Sequence, residues 1–332
     1  MSIISVKKKI GLPKYKQIIA SIEEGILSGS LKKGDKLPSL NSLRDTYKLS
    51  RDTVLMAFND LKTRGIIQSV VGKGYYIIND NIEVVQKVFL LFDELNSFKE
   101  DLYNSFISTL GYNIKVDIYF HHFNYEVFNK LINENIGNYN YYIIMPANFN
   151  NTNLILQKLP QDKVYILDQI HNDLVQYSAI YQNFEMDIIN NLNKALHLIK
   201  NYKKLVLLFN DDKQPQGMLD GFKKFCSISG IKNEVINSIQ DQIPEKGDIY
   251  VIPDDKDLLR IIKKIKETKL ILSKDIGIIS YNDTLLKEIV EGGITTISTD
   301  FNKMGERLAK MLLNKEQLQI ENTNTLILRN SL

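Results

Sequence analysis

Leu37–Ile78 (LPSLNSLRDTYKLSRDTVLMAFNDLKTRGIIQSVVGKGYYII) is the stretch that decides the fold of the N-terminal part of the chain. Ser50 suits the N-cap of a helix, because its hydroxyl can accept a hydrogen bond from an unpaired backbone N–H of the first turn. Val54, Phe58 and Leu61 then recur at helical spacing and predict a buried face. The charged residues of this segment lie largely off that face and are expected to be exposed.

The flanking segments complete a compact unit. Upstream, Leu40, Leu43 and Tyr47 form a shorter amphipathic pattern, and a tight turn separates it from the second helix, as in a helix-turn-helix. Downstream, two β-prone runs enclose Gly72-Lys73-Gly74 and predict a hairpin with a basic tip. Residues 13–29 add a first helix, with apolar residues at helical spacing that can pack across the other two.

The order of these elements resembles the winged helix-turn-helix of the GntR family of bacterial transcription regulators. The motifs that match, over roughly residues 10–80, are Gly34-Asp35-Lys36-Leu37-Pro38-Ser39, Leu49-Ser50-Arg51, Thr53-Val54, Leu61, Gly65-Ile66-Ile67 and Gly72-Lys73-Gly74. Asn41 and Leu55 stand where members of the family often carry arginine. The resemblance therefore implies the class of activity but not the DNA sequence that is read.

The resemblance implies that double-stranded operator DNA is a partner, with the second helix of the motif in the major groove. The residues expected to contact bases or phosphates are Ser39, Asn41, Ser50, Arg51, Asp52, Thr53, Lys73, Gly74 and Tyr75. Charge agrees with this expectation, because residues 1–80 hold 14 Lys and Arg against 7 Asp and Glu, whereas the remainder holds 28 against 32. A basic head on a mildly acidic body suits a head that meets phosphate.

Composition excludes several classes of protein. The chain has 332 residues and a single cysteine, Cys226, so an internal disulfide or a Cys-rich metal site is excluded. There is no signal peptide and no apolar run of membrane-spanning length, so a cytoplasmic protein without membrane partners is expected. Phosphate loops, nucleophile elbows and zinc-protease motifs are absent, and we expect no enzymatic activity, no cofactor and no metal.

After residue 80 the pattern changes to short apolar runs of strand length that alternate with amphipathic helical segments. One of these segments, residues 184–200, reads as a single long helix. The alternation predicts parallel sheets covered on both faces. The sequence therefore predicts an α/β fold with a winged helix-turn-helix domain at 10–79, a linker at 80–85, and a two-lobed domain with parallel sheets at 86–330.

The second domain resembles the effector domain of LacI/GalR-type regulators, which is similar to periplasmic sugar-binding proteins. The matching segments are Gly277-Ile278-Ile279-Ser280-Tyr281-Asn282-Asp283, Gly292-Gly293-Ile294-Thr295-Thr296-Ile297, Met304-Gly305-Glu306-Arg307-Leu308 and Pro253-Asp254-Asp255. Met218 stands where many sugar-binding members carry an arginine, three residues before a Gly-Phe pair. The resemblance implies that this domain binds a small effector, with carbohydrate as the expected class. A homodimer is also expected, because a monomeric head buries too little surface for tight specificity.

Ligands of open α/β sheets bind beyond the carboxyl ends of the strands. Those ends, with the Met218 position, give the predicted ligand-binding residues Asp93, Glu94, Phe98, Pro146, Asp168, Gln169, Asn183, Met218, Asp254, Asp255, Tyr281 and Asn282. Carboxylates and amides can bond hydroxyl groups while rings stack on a sugar face. Taken singly, each of these loops is better explained by ordinary turn and cap chemistry. Seven such strand ends in one domain favour a ligand site for the set, although not for any single member.

Together these features predict a transcription regulator whose operator affinity is controlled by a ligand bound between two lobes. A sugar-binding protein or sugar-processing enzyme of the cytoplasm, with an accessory DNA-binding head, is the alternative. That alternative leaves residues 13–78 without a clear role, and no catalytic grouping supports the enzyme.

Overall fold

The computed structural model of the chain describes residues 4–6, 12–80, 86–111, 114–240 and 242–332. Most of the predicted linker, residues 81–85, and the predicted start of the head at residue 10 lie outside the described residues. Within the described part of the chain, no helix is long and apolar enough to cross a membrane.

The N-terminal head is a three-helix unit with a two-stranded wing, as the sequence predicts. Its elements are α1 (Lys14–Leu27), α2 (Leu40–Tyr47), α3 (Arg51–Thr63), β1 (Ile67–Val70) and β2 (Gly74–Ile77). Lys48 adopts a left-handed conformation with φ of 54°, which ends α2 and turns the chain towards α3. Ile18, Val54 and Phe58 are fully buried, which fixes the packing of α1 against α3.

The body consists of two lobes, each built on a six-stranded sheet. The first lobe contains β3 (Gln86–Phe92), α4 (Ser97–Leu110), β4 (Ile114–Phe120), α5 (Tyr125–Asn135), β5 (Tyr141–Ile144), α6 (Asn153–Leu156), β6 (Val164–Asp168) and β7 (Ser178–Tyr181). The second lobe contains α7 (Phe184–Lys194), α8 (Leu196–Ile199), β8 (Lys204–Leu208), α9 (Gln216–Ser229), β9 (Asn233–Ile236), β10 (Asp248–Ile252), α10 (Asp255–Thr268), β11 (Gly277–Tyr281), α11 (Leu285–Ile289) and β12 (Thr295–Thr299). The chain then contributes α12 (Phe301–Leu313) and β13 (Gln319–Glu321) to the first lobe and β14 (Asn324–Ile327) to the second.

The strand order is β13-β7-β6-β5-β3-β4 in the first sheet and β14-β12-β11-β10-β8-β9 in the second. Every pairing in the body is parallel except that of β14 with β12. The buried central strands are nearly continuous runs of apolar residues, as expected for parallel sheets with helices on both faces. The α/β fold class is thus confirmed, with the correction that one edge strand is antiparallel.

The chain passes between the lobes three times, at residues 182–183, at Asp300 and at residues 322–323. Helix α12 follows the second passage, and its residues Phe301, Met304 and Leu308 enter the core of the first lobe. Gly305 allows α12 to approach α4 closely, because an added Cβ would lie 2.3 Å from the Leu102 carbonyl oxygen. Two lobes joined by three short crossings can rotate about a shared hinge while each keeps its own core.

Several predicted elements need correction. The single helix predicted over residues 184–200 is wrong, because the chain bends at Ala195 and forms α7 and α8 separately. The edge strands β9, β13 and β14 and the short helix α6 were not predicted. These four elements have only three or four residues each, too few to show a period in the sequence.

Candidate nucleic-acid interface and ligand cleft

The start of α3 combines a tightly capped backbone with exposed polar side chains. Ser50 Oγ accepts a hydrogen bond from the Thr53 backbone N–H at 3.1 Å and contacts Thr53 Oγ1 at 2.8 Å. Ser39 caps α2 in the same way, accepting from the Ser42 N–H at 3.1 Å. Each cap stabilises its helix by about 1 kcal/mol. The side chains of Ser39, Ser50 and Thr53 therefore serve first to fix the helix ends.

Arg51, Asp52 and Asn41 are exposed, and their side chains make no hydrogen bond or ion pair within the described part of the chain. Arg64, at the other end of α3, is held by Glu23 and Asp60. The first turn of α3 thus presents a free guanidinium, while the last turn carries one that is already paired.

The wing is fixed beside α3 by packing. The Tyr75 ring meets the Phe58 ring edge-on, with centroids 4.7 Å apart, and the Tyr75 carbonyl accepts from the Leu37 N–H at 2.9 Å. Gly72 and Gly74 take positive φ angles of 73° and 111° and form the turn that leaves Lys73 exposed at the tip. The half-buried Tyr75 therefore has a structural role that the sequence analysis did not assign to it.

A cavity of about 320 Å³, the ligand cavity, lies between the lobes at the carboxyl ends of their strands. Ten of the twelve predicted residues line it: Asp93, Glu94, Phe98, Asp168, Gln169, Met218, Asp254, Asp255, Tyr281 and Asn282. These ten residues come from five separate segments of the chain, and four of the segments follow strand ends, where ligands of open α/β sheets bind.

Pro146 and Asn183 do not line this cavity. Pro146 is buried in the first lobe. Asn183 caps α7, accepting from the Met186 N–H at 3.3 Å and donating to Glu321 at 3.2 Å. The side chain next to it, Gln182, is the one that reaches the cavity. Adjacent residues in extended backbone point to opposite sides, so only one of two neighbouring side chains can face a cleft.

Other lining residues are not among the predicted ligand-binding residues. They are Leu95, Asn96, Lys99, Phe123, Gln182, Phe184, Lys213, Gln214, Pro215, Pro253 and Lys256. Many follow a strand end by several residues, as Lys99 does in the first turn of α4. Aromatic rings at Phe98, Phe123 and Phe184 give the cavity apolar faces between its polar groups, the mixture typical of small-molecule sites.

The floor of the ligand cavity holds buried charges. Lys99 and Asp93 form an ion pair, and both are 5% exposed. Asp168 accepts a hydrogen bond from Gln182 Nε2 at 2.6 Å. Burial, with a smaller contribution from the Asp93 charge, raises the pKa of Asp168 to about 6, although Lys99 and the Gln182 hydrogen bond act in the opposite direction.

The second-lobe wall is held from behind by one buried cation. Lys287 Nζ donates to the carbonyls of Tyr281 and Asn282, both at 2.7 Å, and contacts an Asp255 oxygen at 2.8 Å. Burial lowers the pKa of Lys287, and Asp255 partly offsets this effect. The backbone of residues 281–282 and the side chain of Asp255 are therefore tied to a single ammonium group.

Asn282 and Asp283 show how two adjacent polar residues differ. The Asn282 Oδ1 atom is buried and has no hydrogen-bond partner among the described residues, although the side chain lines the cavity. The Asp283 carboxylate is engaged by both terminal nitrogens of Arg329, at 2.6 and 2.7 Å. Asn282 thus offers an unused acceptor to a ligand, whereas Asp283 is committed to the structure.

Direct contacts cross the cleft. Lys213 of the second lobe lies 3.2 Å from a Glu94 oxygen of the first, and its ammonium stands 5.5 Å from the centre of the Phe123 ring. Asn148 Nδ2 donates to the carbonyls of Asp211 and Gln214, at 3.0 and 2.6 Å. These contacts hold the lobes together in the arrangement described here. No group of three or more described His, Cys, Asp or Glu side chains is arranged to bind a metal ion.

Comparisons with known proteins agree with this division of the chain. Residues 14–77 match the family described as bacterial regulatory proteins, gntR family, and residues 197–332 match a periplasmic binding protein-like domain. The HTH-type transcriptional repressor YtrA of Bacillus subtilis is 33% identical over 99 residues, which cover 30% of this chain and 72% of YtrA. The chain belongs to the gntR family.

The GntR-family head accounts for the match to other regulators as well. The uncharacterized HTH-type transcriptional regulator YdfD of Bacillus subtilis is 37% identical over 87 residues. That match covers 26% of this chain and 18% of YdfD, so the chain spans less than a fifth of this relative's length.

The body is similar in fold to LacI-family regulators. A LacI family transcriptional regulator from Silicibacter pomeroyi superposes with a TM-score of 0.64 at 15% identity, covering 74% of this chain and 98% of that one. A LacI family regulator from Enterococcus faecalis, crystallised with bound ribose, gives a TM-score of 0.62 at 17% identity over 74% and 98% of the two chains. The GntR-family head is thus joined to a body with the LacI-type fold.

The raised pKa of Asp168 predicts a pH-dependent stability. A carboxyl group with a folded-state pKa of about 6 and an ordinary value of 3.8 destabilises the fold when it is ionised. The loss of folding free energy on ionising Asp168 is on the order of 3 kcal/mol, and it is fully present above pH 6. It decreases as the pH falls through 6 and is absent below about pH 4. Asp168→Asn keeps an oxygen for Gln182, so it should be more stable than the unaltered protein by up to about 3 kcal/mol at pH 7.5 and by only about 1 kcal/mol at pH 4.5.

Urea unfolding of both proteins at several pH values measures this difference. Asp101→Asn, on the exposed face of α4, is the control and should show no pH-dependent gain. Since Asp187 is present in all three proteins, its own raised pKa of about 7 does not affect the comparison. A difference between Asp168→Asn and the unaltered protein that is constant with pH would show that Asp168 does not titrate in this range.

Proposed function

We propose that this protein is a DNA-binding transcription regulator whose affinity for its operator is controlled by a carbohydrate bound in the ligand cavity. The observation that carries the proposal is the combination, in one chain, of a gntR-family head and a two-lobed body with a ligand cavity at its strand ends. A protein that binds the chromosome acts in the cytoplasm, and none of these features calls for catalysis.

The head is proposed to bind DNA through α3 and the wing. The free Arg51 guanidinium at the start of α3 lies where a recognition helix meets base edges. The exposed Lys73 at the tip of the wing suits the sugar–phosphate backbone. Asp52 and Gly74 flank these positions on α3 and the wing, and Asn41 lies in the first turn of α2. The helix caps formed by Ser39 and by Ser50 with Thr53, together with the packing of Tyr75, hold the interface in shape.

Carbohydrate is proposed as the effector because the cavity combines three kinds of group. Phe98, Phe123 and Phe184 provide apolar faces, and the amides Gln169 and Asn282 provide hydrogen-bonding groups without net charge. The buried Lys99 ammonium at the floor of the cavity is already neutralised by Asp93. A neutral polyhydroxylated molecule can satisfy such a lining, since its hydroxyls donate and accept while its C–H faces pack on rings. The bound ribose of the Enterococcus faecalis structure, which shares the fold, supports the same class.

A homodimer is proposed because one small head buries too little surface for tight, specific DNA binding. The surface proposed for the second copy is the exposed face of α11, where Leu285, Leu286 and Ile289 are 78%, 44% and 76% exposed. Three large apolar side chains exposed on a five-residue helix are unusual for a surface without a partner. A two-fold dimer would bring the same patch of both copies together.

Removing the Arg51 guanidinium should weaken DNA binding without affecting the fold. For Arg51→Ala we expect a loss of about 5- to 150-fold in affinity, the range for a contact worth about 1–3 kcal/mol. Affinity is measured by fluorescence anisotropy at fixed salt, on a DNA site selected by this protein from a random pool. Arg260→Ala, which removes the same charge from the body, is the control and should bind as before. A fall in melting temperature with Arg51→Ala, comparable to that of a core substitution, would instead assign Arg51 a structural role.

Placing a charge on the α11 face should separate the dimer. Ile289→Asp is expected to shift the mass measured by light scattering after size exclusion towards the monomer, because an aspartate buried in an apolar interface is costly. Ile228→Asp is the matched control, since Ile228 is 74% exposed on α9. An equal response of the two variants would rule out α11 as the dimer surface.

The regulatory claim is tested by a screen of the full chain against neutral sugars. A ligand that binds only the folded state at a hundredfold excess over Kd raises stability by about 2.7 kcal/mol, which a thermal-shift assay detects. The same sugar should change the apparent operator affinity at least fivefold. If a sugar stabilises the protein but leaves operator affinity unchanged, the protein binds the sugar, but the proposed coupling between sugar binding and DNA binding is wrong.

Asn282→Gly is the matched variant for this screen. Glycine tolerates the positive φ of 61° at this position, so the substitution removes the amide with little backbone strain. We expect it to weaken the sugar response and to leave DNA binding intact. Lys269→Gly, at another left-handed position of the second lobe (φ 57°), should respond to sugar as the unaltered protein does.

A further inference from the structure

The cleft between the lobes continues beyond the ligand cavity. A second space of about 950 Å³, here called the amide compartment, shares four lining residues with the ligand cavity: Gln169, Gln182, Phe184 and Pro215. The ligand cavity alone, at about 320 Å³, is at the lower end of the range of about 300–1,000 Å³ that small-molecule sites occupy. A ligand that fills the first space therefore has room to extend into the second.

The amide compartment is lined mainly by uncharged hydrogen-bonding groups. Beyond the shared residues, its amides are Asn148, Asn150, Asn151, Asn172, Asn183 and Gln216. Asn150, Asn151 and Asn172 make no side-chain hydrogen bond to other described residues. Each therefore offers both a donor and an acceptor, which is what a hydroxyl group requires.

The charges around the amide compartment exclude an anionic unit. No lysine or arginine lines it, and its carboxylates are Asp173, Glu185 and Asp211. Asp173 accepts from the Asn153 N–H at 3.0 Å, and Glu185 pairs with Lys224 at 3.0 Å. A phosphate in this space would meet carboxylates with no cation of the lining to compensate them. A neutral unit meets no such repulsion.

Gln169 lies at the junction of the two spaces. Its side chain lines both of them, is 8% exposed, and makes no hydrogen bond to another described residue. Its amide nitrogen and oxygen are therefore available to donate to and accept from a ligand that reaches the junction. Phe184, on the opposite lobe, adds an aromatic face at the same point.

We propose that the effector is a neutral saccharide of at least two units, with one unit in the ligand cavity and the next in the amide compartment. Gln169 bonds the ligand at the junction between the units, and Phe184 packs against it. This inference rests on the proposed carbohydrate-controlled function and specifies its ligand. The Asn148 hydrogen bonds to Asp211 and Gln214 cross the cleft beside the amide compartment and link the two lobes there.

Calorimetric titration of the full chain tests the proposal with matched sugars. The probes are maltose, trehalose, sucrose, lactose and cellobiose, together with glucose, fructose and galactose as their single units and glucose 6-phosphate as an anionic unit. We expect at least one disaccharide to bind tenfold or more tightly than either of its units and than the phosphate. A single unit or the phosphate that binds as tightly as the best disaccharide would overturn the proposal.

Gln216→Trp tests the amide compartment by filling it. Gln216 is exposed at the start of α9 and lines the amide compartment but not the ligand cavity. The variant should weaken disaccharide binding at least tenfold and leave binding of the single unit unchanged. Lys223→Trp, on the exposed face of the same helix, should leave both unchanged, and thermal unfolding checks that each variant is folded.

The outcomes separate this inference from the function on which it rests. A protein that binds a single sugar unit, changes its operator affinity in response, and gains nothing from a second unit retains the proposed function but overturns the two-unit ligand. Normal disaccharide binding by Gln216→Trp also overturns it. A protein that binds none of these sugars overturns both the two-unit ligand and the carbohydrate effector, while the Arg51→Ala assay still tests DNA binding by itself.

Discussion

The hydrogen bonds of one buried amide, Gln182, connect the floor of the ligand cavity to the hinge. Gln182 Nε2 donates to Asp168 at 2.6 Å, and its Oε1 accepts from Thr299 Oγ1 at 2.5 Å. Asn324 Nδ2 reaches Thr299 Oγ1 at 3.2 Å and the Tyr281 hydroxyl at 3.3 Å. These residues stand at or beside all three crossings between the lobes, and Asp168 and Tyr281 line the cavity. A rotation of the lobes would therefore disturb hydrogen bonds of residues that line the ligand cavity.

The position of the head explains how such a rotation would reach DNA. Lys16 of α1 donates to the Gly137 carbonyl at 3.2 Å and to Asn138 Oδ1 at 2.8 Å, and Glu24 pairs with Lys315 at 3.2 Å. All these partners belong to the first lobe, whereas the proposed dimer surface on α11 belongs to the second. If the second lobes are joined in a dimer, closure of each cleft moves the first lobes and their heads relative to one another. Ligand binding and head spacing are then coupled through the hinge, without a separate signalling element.

Much of the fold could be predicted because its signals are local. The helices of the head carry their caps, Ser39 and Ser50, in the sequence itself, and each buried strand of the body is an apolar run of recognisable length. The predictions that failed concern features that depend on contacts between distant parts of the chain. Strand β14 lies antiparallel at a sheet edge only because the chain crosses between the lobes a third time, and the bend at Ala195 reflects how α7 and α8 pack on the second lobe. Neither event leaves a periodic pattern in the sequence.

The candidate cleft also shows that local sequence signals do not identify contacts between distant residues. The position of strand ends along the chain was enough to bring ten predicted residues to one cavity, because parallel strands share a carboxyl edge. It was not enough to choose Gln182 over Asn183, or to separate the free Asn282 from the Asp283 that Arg329 engages. Those choices depend on partners distant in the sequence. A ligand can bond only to the donors and acceptors of a cleft that such partners leave unoccupied. A list of polar residues at strand ends therefore locates a site, whereas the partners that each residue already has decide what the site can bind.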